Sequence, residues 1–200
     1  MRTTVLAATL VAVLVWVAAC GERSDQQPAN RPTDTAQSSK VPAGVAAQYA
    51  TIEEEVRAEG GEKRIGPWRI AYIVEPAEGW FERRGDDFEW RAPADSETHH
   101  IEILPIEAET GRLVPNVPIT AEVLDAQGTR VARKSLAPYY AEFFHYANNF
   151  SIPEAGDYRL RATIGPPELR RHGEEREGPA LGEGVEVEFE NVRLEPKEGS

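Results

Sequence analysis

The sequence predicts an all-β fold, an antiparallel β-sandwich preceded by one short amphipathic helix. Apolar and polar residues alternate over several short segments after Pro67, which is typical of strands with one buried face. Turn residues, rather than helical segments, separate these stretches, so a sandwich is favoured over an α/β fold. The chain has 200 residues, 40% of them hydrophobic, which is enough for one domain with a substantial core.

The predicted strands follow one another along the chain. The segments that alternate, or nearly alternate, are 68–76, 98–109, 119–125, 129–136, 158–164 and 185–194. Segment 81–90 is typical of a hairpin with Arg84-Gly85-Asp86 at its tip, whereas the aromatic-rich segment 143–152 fits more than one structure. The alternation changes phase at Asn191, which indicates a β-bulge.

Segment 152–164 is the clearest signal for the fold. A turn containing Gly156 leads into a strand with Tyr158 at its start. This arrangement resembles the penultimate strand of an immunoglobulin-like sandwich, whose tyrosine bonds back to a nearby loop. We therefore expect an immunoglobulin-like β-sandwich over residues 67–195, with a tail at 196–200.

An N-terminal signal peptide is predicted over residues 1–19. Arg2 precedes an apolar run that is shorter than the ~20 residues needed to span a bilayer. The run ends in Val17-Ala18-Ala19-Cys20, which resembles the lipobox of bacterial lipoproteins and implies cleavage before Cys20 and lipid attached to it. An ordinary signal peptide with an unrelated cysteine is the alternative. We expect a lipid-anchored protein on the periplasmic side of the envelope, and Gly21, in place of an aspartate, favours the outer membrane.

The next two segments connect this anchor to the sandwich. Residues 20–43 are polar and rich in Ser, Thr, Gln and Pro, which predicts a flexible tether. Residues 44–66 are predicted to form an amphipathic helix and a lead-in, because apolar residues recur at helical spacing before Gly60-Gly61 supplies a stop. We expect the helix to lie against the domain; a partner-binding helix is the alternative.

Charge and cysteine content limit the classes of function. The formal net charge of −12 argues against nucleic-acid binding, which needs a basic surface. Cys20 is the single cysteine, so no disulfide can form within the chain. The fold must therefore depend on packing or on a metal.

Histidine placement suggests a metal site. His100 and Glu102 are two residues apart in a predicted strand, so their side chains share one face, while His99 points to the other. An imidazole and a carboxylate placed in this way can bind one cation; a solvated polar pair is the alternative. His172 lies in a polar loop, 165–184, of a length that is usually functional or disordered. A metal bound through His172 would hold that loop.

Four ordered landmarks between residues 66 and 194 resemble those of a known family. They are His100-Ile101-Glu102, the stretch 136–142 followed by His145-Tyr146, the strand 156–164 with Pro166-Pro167 after it, and Arg171-His172. In the family they correspond to a His-x-Glu strand, a Met-Pro-Met stretch leading to His-Tyr, a Gly-x-Tyr strand with a Pro-Pro exit, and an Arg-His pair. The family is that of periplasmic iron-transport proteins found beside iron permeases in many bacteria, and it includes a lactoferrin-binding treponemal lipoprotein.

This resemblance implies a homodimer of immunoglobulin-like sandwiches that binds copper. By position it assigns His100, His145 and His172 as metal ligands and Glu102 as the adjacent carboxylate. The methionine of the family site is absent; if one residue is deleted before His145, Tyr139 occupies its position. Because a thioether favours Cu(I), its absence favours a divalent ion, and we expect Cu(II), with Fe(II) or Zn(II) as alternatives.

The predicted function is therefore to hold a divalent metal for an iron permease of the inner membrane. One alternative is a metal-free interaction module of the envelope, and another is a copper-dependent oxidase. The sequence contains neither a Gly-rich phosphate loop nor a nucleophile elbow, and catalysis is not expected.

Overall fold

The computed structural model describes residues 41–176 and 178–196, in which one helix precedes a series of antiparallel strands. The elements are α1 (Ala43–Glu59), β1 (Gly60–Ile65), β2 (Trp68–Pro76), β3 (Trp80–Arg84), β4 (Asp87–Arg91), β5 (His99–Glu107), β6 (Ile119–Leu124), β7 (Arg130–Ser135), β8 (Ala137–Tyr140), β9 (Phe144–Phe150), β10 (Gly156–Ile164) and β11 (Val185–Leu194). The predicted signal peptide with Cys20, most of the tether and the last residues of the tail lie outside the described residues. No helix among those described is long and apolar enough to cross a membrane.

Two sheets form the sandwich, which confirms the predicted fold class. A five-stranded sheet has the order β1-β2-β5-β9-β8, a four-stranded sheet has the order β11-β10-β6-β7, and β3 pairs only with β4. Ile101 and Phe150 of the first sheet share one buried core with Ala121 and Leu160 of the second. Tyr158 donates a hydrogen bond from its hydroxyl to the Glu154 carbonyl at 2.9 Å, as expected for an immunoglobulin-like sandwich.

Helix α1 lies against the outer face of the five-stranded sheet, as predicted. Ile52 and Val56 pack there with Ile73 of β2 and Leu104 of β5. This second, smaller core covers part of the face that does not pack against the other sheet. The helix ends at Glu59, immediately before the predicted glycine stop.

Two edge strands were not predicted. Residues 60–65, expected as a lead-in, form β1 and pair with β2, and residues 137–140 form β8 and pair with β9. Both strands are largely exposed, so they lack the alternation that marks a half-buried strand. The bulge near Asn191 is confirmed: the β10–β11 register shifts there, and Asn191 has a φ of 58°.

The long loop 165–184 is held by hydrogen bonds within the chain. The Arg171 guanidinium donates to the carbonyls of Ala180 at 2.6 Å, Leu181 at 3.0 Å and Pro167 at 3.1 Å. These contacts connect the two ends of the loop without the metal contact through His172 that the sequence suggested.

Candidate metal centre

Strand β5 places the first two predicted ligands. His100 and Glu102 lie on the outer face of the five-stranded sheet, while Ile101 and Ile103 point into the core between the sheets. His99 lies on the opposite face from His100, as predicted, and its Nδ1 is 2.8 Å from Thr98 Oγ1. The alternation seen in the sequence therefore gives the correct face for each of these side chains.

Strand β9 brings His145 to the same place. Ala147 is the cross-strand partner of Glu102, and His145, two residues earlier, shares that face. One ligand atom from each of His100, Glu102 and His145 lies within 4.8 Å of the others. His145 Nε2 is 3.5 Å from Glu102 Oε1, and His100 Nε2 is 4.0 Å from the same oxygen. The sheet thus assembles two imidazoles and a carboxylate around one point.

Burial shifts the pKa of each member of this group towards its neutral form. The exposed fractions of His100, Glu102 and His145 are only 1%, 3% and 5%. Burial, with a contribution from nearby acidic residues, raises the pKa of Glu102 to about 9. Burial lowers the pKa of His145 to about 4, assisted by His100, and also lowers the pKa of His100. A cation would reverse the penalty on the Glu102 carboxylate.

The polar atoms of the group fit a metal ion. His100 Nε2 and Glu102 Oε2 are buried without a hydrogen-bond partner, an arrangement that costs free energy unless a ligand binds them. His145 Nδ1 is 3.3 Å from the Phe143 carbonyl, which can only accept, so Nε2 retains a lone pair. His100 Nδ1 is 2.8 Å from Asn149 Oδ1. Each histidine therefore has an outer partner at Nδ1 and directs Nε2 inward, as metal-binding histidines do.

Tyr139 forms one wall of the site. It lies opposite His145 in the β8–β9 ladder, and the two rings stack at 5.5 Å between centroids with planes 5° apart. Its ring also meets His100 edge-on at 5.5 Å. Burial raises the pKa of its phenol to about 12, so the hydroxyl is protonated at neutral pH. The residue predicted at the methionine position is thus at the site, and its role as a ligand stays a prediction.

His172 is not part of the group. It lies exposed in the loop 165–184, and among the described residues the group consists of His100, Glu102 and His145. Its role as a ligand stays a prediction.

Trp80 is a residue of the site that sequence reasoning missed. It belongs to the β3–β4 hairpin, its indole lies 6.4 Å from the His100 ring, and it meets Tyr139 edge-on at 5.4 Å. Arg91, its cross-strand partner, lies 4.1 Å from the centre of the indole. Trp80 lies one residue before the predicted hairpin 81–90, and the sequence does not indicate which part of the sandwich the hairpin covers.

Further acidic residues surround the group. Burial, followed by repulsion from nearby carboxylates, raises the pKa of Glu55 on α1 and of Glu75 on β2. Glu75 and Glu78 also contribute to the raised pKa of Glu102. The resulting negative potential favours the approach of a cation.

Comparisons with known proteins agree with this geometry. A family model described as "Fe2+ transport protein" matches residues 89–193, whereas no curated protein gives a significant match. Among solved structures, FetP of uropathogenic Escherichia coli strain F11 is 22% identical, with 68% of this chain and 96% of that chain covered and a TM-score of 0.51. A copper-bound FetP variant is 18% identical, with 70% and 93% covered and a TM-score of 0.54. The copper-reconstituted P19 protein of Campylobacter jejuni is 24% identical, with 68% and 96% covered and a TM-score of 0.51.

These structural neighbours share the fold of this chain. The family match includes β5 to β10 and all three members of the buried group. Because it also spans more than half of the sequence, the chain belongs to the Fe2+ transport protein family.

Proposed function

We propose that the protein holds a divalent transition-metal ion outside the cytoplasm and takes part in iron acquisition by serving an iron permease of the inner membrane. In this proposal lipid on Cys20 anchors it to the periplasmic side of the envelope. The observation that carries the proposal is the buried group of His100, Glu102 and His145, whose inward-facing polar atoms include two without partners. Membership in the Fe2+ transport protein family supports the iron-related role.

Cu(II) is the ion we assign to this group. Two imidazole nitrogens and a carboxylate oxygen suit Cu(II), Zn(II) and Fe(II), whereas the chain has no methionine beyond Met1 to favour Cu(I). The neighbouring FetP variant and P19 are copper-bound structures, which supports copper over zinc. When bound, the ion would supply a positive charge that the Glu102 carboxylate would neutralise in part, while the two neutral imidazoles would donate lone pairs.

The residues around the group would control access to it. Tyr139 and Trp80 form an aromatic wall on one side of the histidines, and the low exposure of all three members of the group excludes bulk water. Glu102 would lose its proton on binding, because burial keeps the carboxyl neutral without a cation. We therefore infer that capture of the ion is coupled to release of a proton.

Three ligands leave a coordination position for one more, and we propose His172 for this role. His172 is exposed and outside the group, so it would reach the ion either by a movement of the loop 165–184 or from a second copy of the chain. Substituting His172→Gln should then weaken Cu(II) binding without changing the number of ions bound at saturation. Unchanged affinity in a competition titration would remove His172 from the ligand set.

A homodimer is part of the same proposal. The hairpin presents an aromatic face, defined here as Phe81, Phe88 and Trp90, on the side opposite Trp80 and Arg91. These three side chains are 66%, 66% and 58% exposed, and Phe81 packs on Trp90 at 5.1 Å between ring centroids. Exposed apolar clusters of this kind usually mark an interaction surface. We propose that a second copy of the chain covers it.

Metal analysis of purified protein tests the proposed function. We expect about one equivalent of Cu(II) per chain after titration, and a rise in thermal stability on the order of 2.7 kcal/mol at 100 times the dissociation constant. His100→Gln should lower the affinity by about 10-fold or more. His99→Gln is the matched control, because His99 is equally buried on the same strand but faces away.

Absence of metal binding in these measurements would favour a metal-free interaction module of the envelope, which the exposed aromatic face also supports. The decisive outcome is a melting temperature that Cu(II), Zn(II) and Fe(II) all leave unchanged. Equal loss of affinity in His100→Gln and His99→Gln would place the ion elsewhere.

A further inference from the structure

Asn149 occupies a position beside the metal site with all of its hydrogen-bonding capacity in use. It lies directly opposite His100 in the β5–β9 ladder and is 0% exposed. Its Oδ1 is 2.8 Å from His100 Nδ1 and accepts the Glu78 backbone N–H at 3.2 Å. Its Nδ2 donates to the Glu78 carbonyl at 2.7 Å and to Glu97 Oε2 at 3.2 Å.

The orientation of this amide follows from partners that cannot exchange roles. A backbone N–H only donates, so the atom facing Glu78 N must be the amide oxygen. A backbone carbonyl and a carboxylate only accept, so the atom facing Glu78 O and Glu97 must be the amide nitrogen. Turning the amide over would place donor against donor or acceptor against acceptor at these three contacts, each of them costly in a buried position.

Glu97 remains a carboxylate because Arg91 holds it. Arg91 donates to both Glu97 oxygens, at 2.7 and 2.8 Å. Burial alone would raise the pKa of Glu97, but hydrogen bonds from Arg91, Ala94 N–H and Asn149 outweigh it and bring the pKa to about 2. The hairpin residue Arg91 therefore supports Asn149 through Glu97.

The fixed amide determines the tautomer of His100. Since Oδ1 can only accept, the neutral imidazole must carry its hydrogen on Nδ1, which leaves the Nε2 lone pair directed towards Glu102. We propose that Asn149 is a positioning residue that holds His100 in the tautomer able to bind a metal ion through Nε2. The consequence for metal affinity rests on the proposed function, whereas the tautomer itself does not.

The test begins with the wild-type full chain, free of metal, at a pH where the histidines are neutral. Nitrogen-15 NMR of the histidine rings, assigned by comparison with His100→Gln, reports which nitrogen carries the hydrogen. We expect His100 to be protonated at Nδ1. A His100 ring protonated at Nε2, or exchanging between both forms, overturns the proposal whether or not the protein binds metal.

Variants separate positioning from a structural role. Asn149→Asp keeps an acceptor towards His100 and should keep the tautomer, although its second oxygen faces Glu97 and lowers stability. Asn149→Leu removes the acceptor, so we expect a mixed tautomer and a loss of Cu(II) affinity of about 10- to 100-fold. Asn148→Leu is the matched control: Asn148 is the preceding residue of β9 and donates instead to the Ser135 carbonyl.

Two outcomes would contradict a positioning role. One is an Asn149→Leu variant with reduced affinity but an unchanged His100 tautomer, which would indicate structural damage alone. The other is an Asn149→Asp variant in which His100 is no longer protonated at Nδ1. This second measurement remains decisive if Asn149→Leu does not fold. A wild-type protein that shows the expected tautomer but binds no metal would contradict the proposed function and leave the tautomer assignment standing.

Discussion

At the scale of single residues, burial and the proposed metal ion would act on the Glu102 carboxyl in opposite directions. Burial raises the pKa of its carboxyl to about 9, so the metal-free protein carries a neutral Glu102 at pH 7. A divalent cation favours the carboxylate instead. The two histidines behave differently, because burial lowers the pKa of each and keeps both imidazoles available as ligands.

The first prediction concerns the pH dependence of Cu(II) binding. Apparent Cu(II) affinity should fall about tenfold for each pH unit below the Glu102 pKa of about 9, since each ion displaces one proton. If an unperturbed histidine were the group that loses the proton, the plot of affinity against pH would change slope near pH ~6.5. Calorimetric titration in two buffers with different heats of ionisation measures the proton released. Glu102→Gln should release none, and affinity that stays flat between pH 9 and 7 in the wild type would contradict the coupling.

The second prediction concerns the stability of the metal-free protein. The folded-state pKa of Glu102 lies above its ordinary value of 4.5, so the unfolded chain ionises first and stability falls as pH rises from 4.5 to about 9. Glu102→Gln removes this loss. Its melting temperature should exceed that of the wild type near the upper end of this interval and approach it near the lower end. A constant difference across the interval in scanning calorimetry would be inconsistent with a neutral, buried Glu102.

The third prediction concerns Tyr139, which the resemblance places at the position of the family's methionine. Tyr139→Met would place a thioether beside His145, and we expect Cu(I) affinity to rise about tenfold or more because soft ligands favour Cu(I). Competition against a Cu(I) chelator measures the change. Tyr140→Met is the control, since Tyr140 is the next residue of β8 and 96% exposed. An equal gain in both variants would show that Tyr139 does not face the ion.

The sequence predicted some residues of the site and missed others for a physical reason. The shared face of His100 and Glu102 follows from the two-residue period of one strand, which is a local property. Asn149 and Trp80 reach the site through strand register and hairpin placement, which depend on contacts between distant parts of the chain. His145 was predicted only through the family resemblance, for the same reason.

At the scale of elements, burial alone does not separate the strands that the sequence predicted from those that it missed. Strand β7 was predicted although it is largely exposed, whereas the aromatic-rich segment that forms the buried strand β9 fitted more than one structure. Strand β10 buries alternate apolar residues and β5 is buried along almost its whole length, whereas β1 and β8 are edge strands with little burial. The residues of β1 and β8 show no alternation of their own, and pairing with β2 and β9 specifies these two strands. Strand β8 nevertheless positions Tyr139, so one wall of the site depends on an element that alternation alone does not identify.

The fourth prediction concerns the loop 165–184. Arg171→Met removes three hydrogen bonds to backbone carbonyls, and we expect amide exchange in this loop to rise about 5- to 30-fold, as for a loss of 1–2 kcal/mol. Exchange in the sandwich strands should not change. Arg170→Met is the control, because Arg170 makes none of these three contacts. Equal exchange in the two variants would contradict the role given to Arg171.

At the scale of the whole molecule, the net charge and the aromatic face have opposite effects on the association of two copies. A formal charge of −12 makes two copies repel, whereas Phe81, Phe88 and Trp90 favour their association. An aromatic side chain buries about 150–250 Å² in full, so three that are about two-thirds exposed offer roughly 300–500 Å² per copy. A standard interface needs about 800 Å² per partner, so the aromatic face alone supports a weak dimer.

The fifth prediction follows from this balance. Salt screens the repulsion between two acidic copies but does not weaken the burial of apolar surface. The dimer fraction should therefore rise as sodium chloride increases from about 0.01 to 0.1 M. Over this interval the screening length falls from about 30 to 10 Å. Sedimentation velocity at several protein concentrations measures it. Phe81→Ser combined with Trp90→Ser should abolish the dimer, while Val131→Ser, at an exposed apolar position on β7, should not. A dimer that weakens with salt would instead be held by ion pairs, and a dimer that survives the double substitution would use another face of the sandwich.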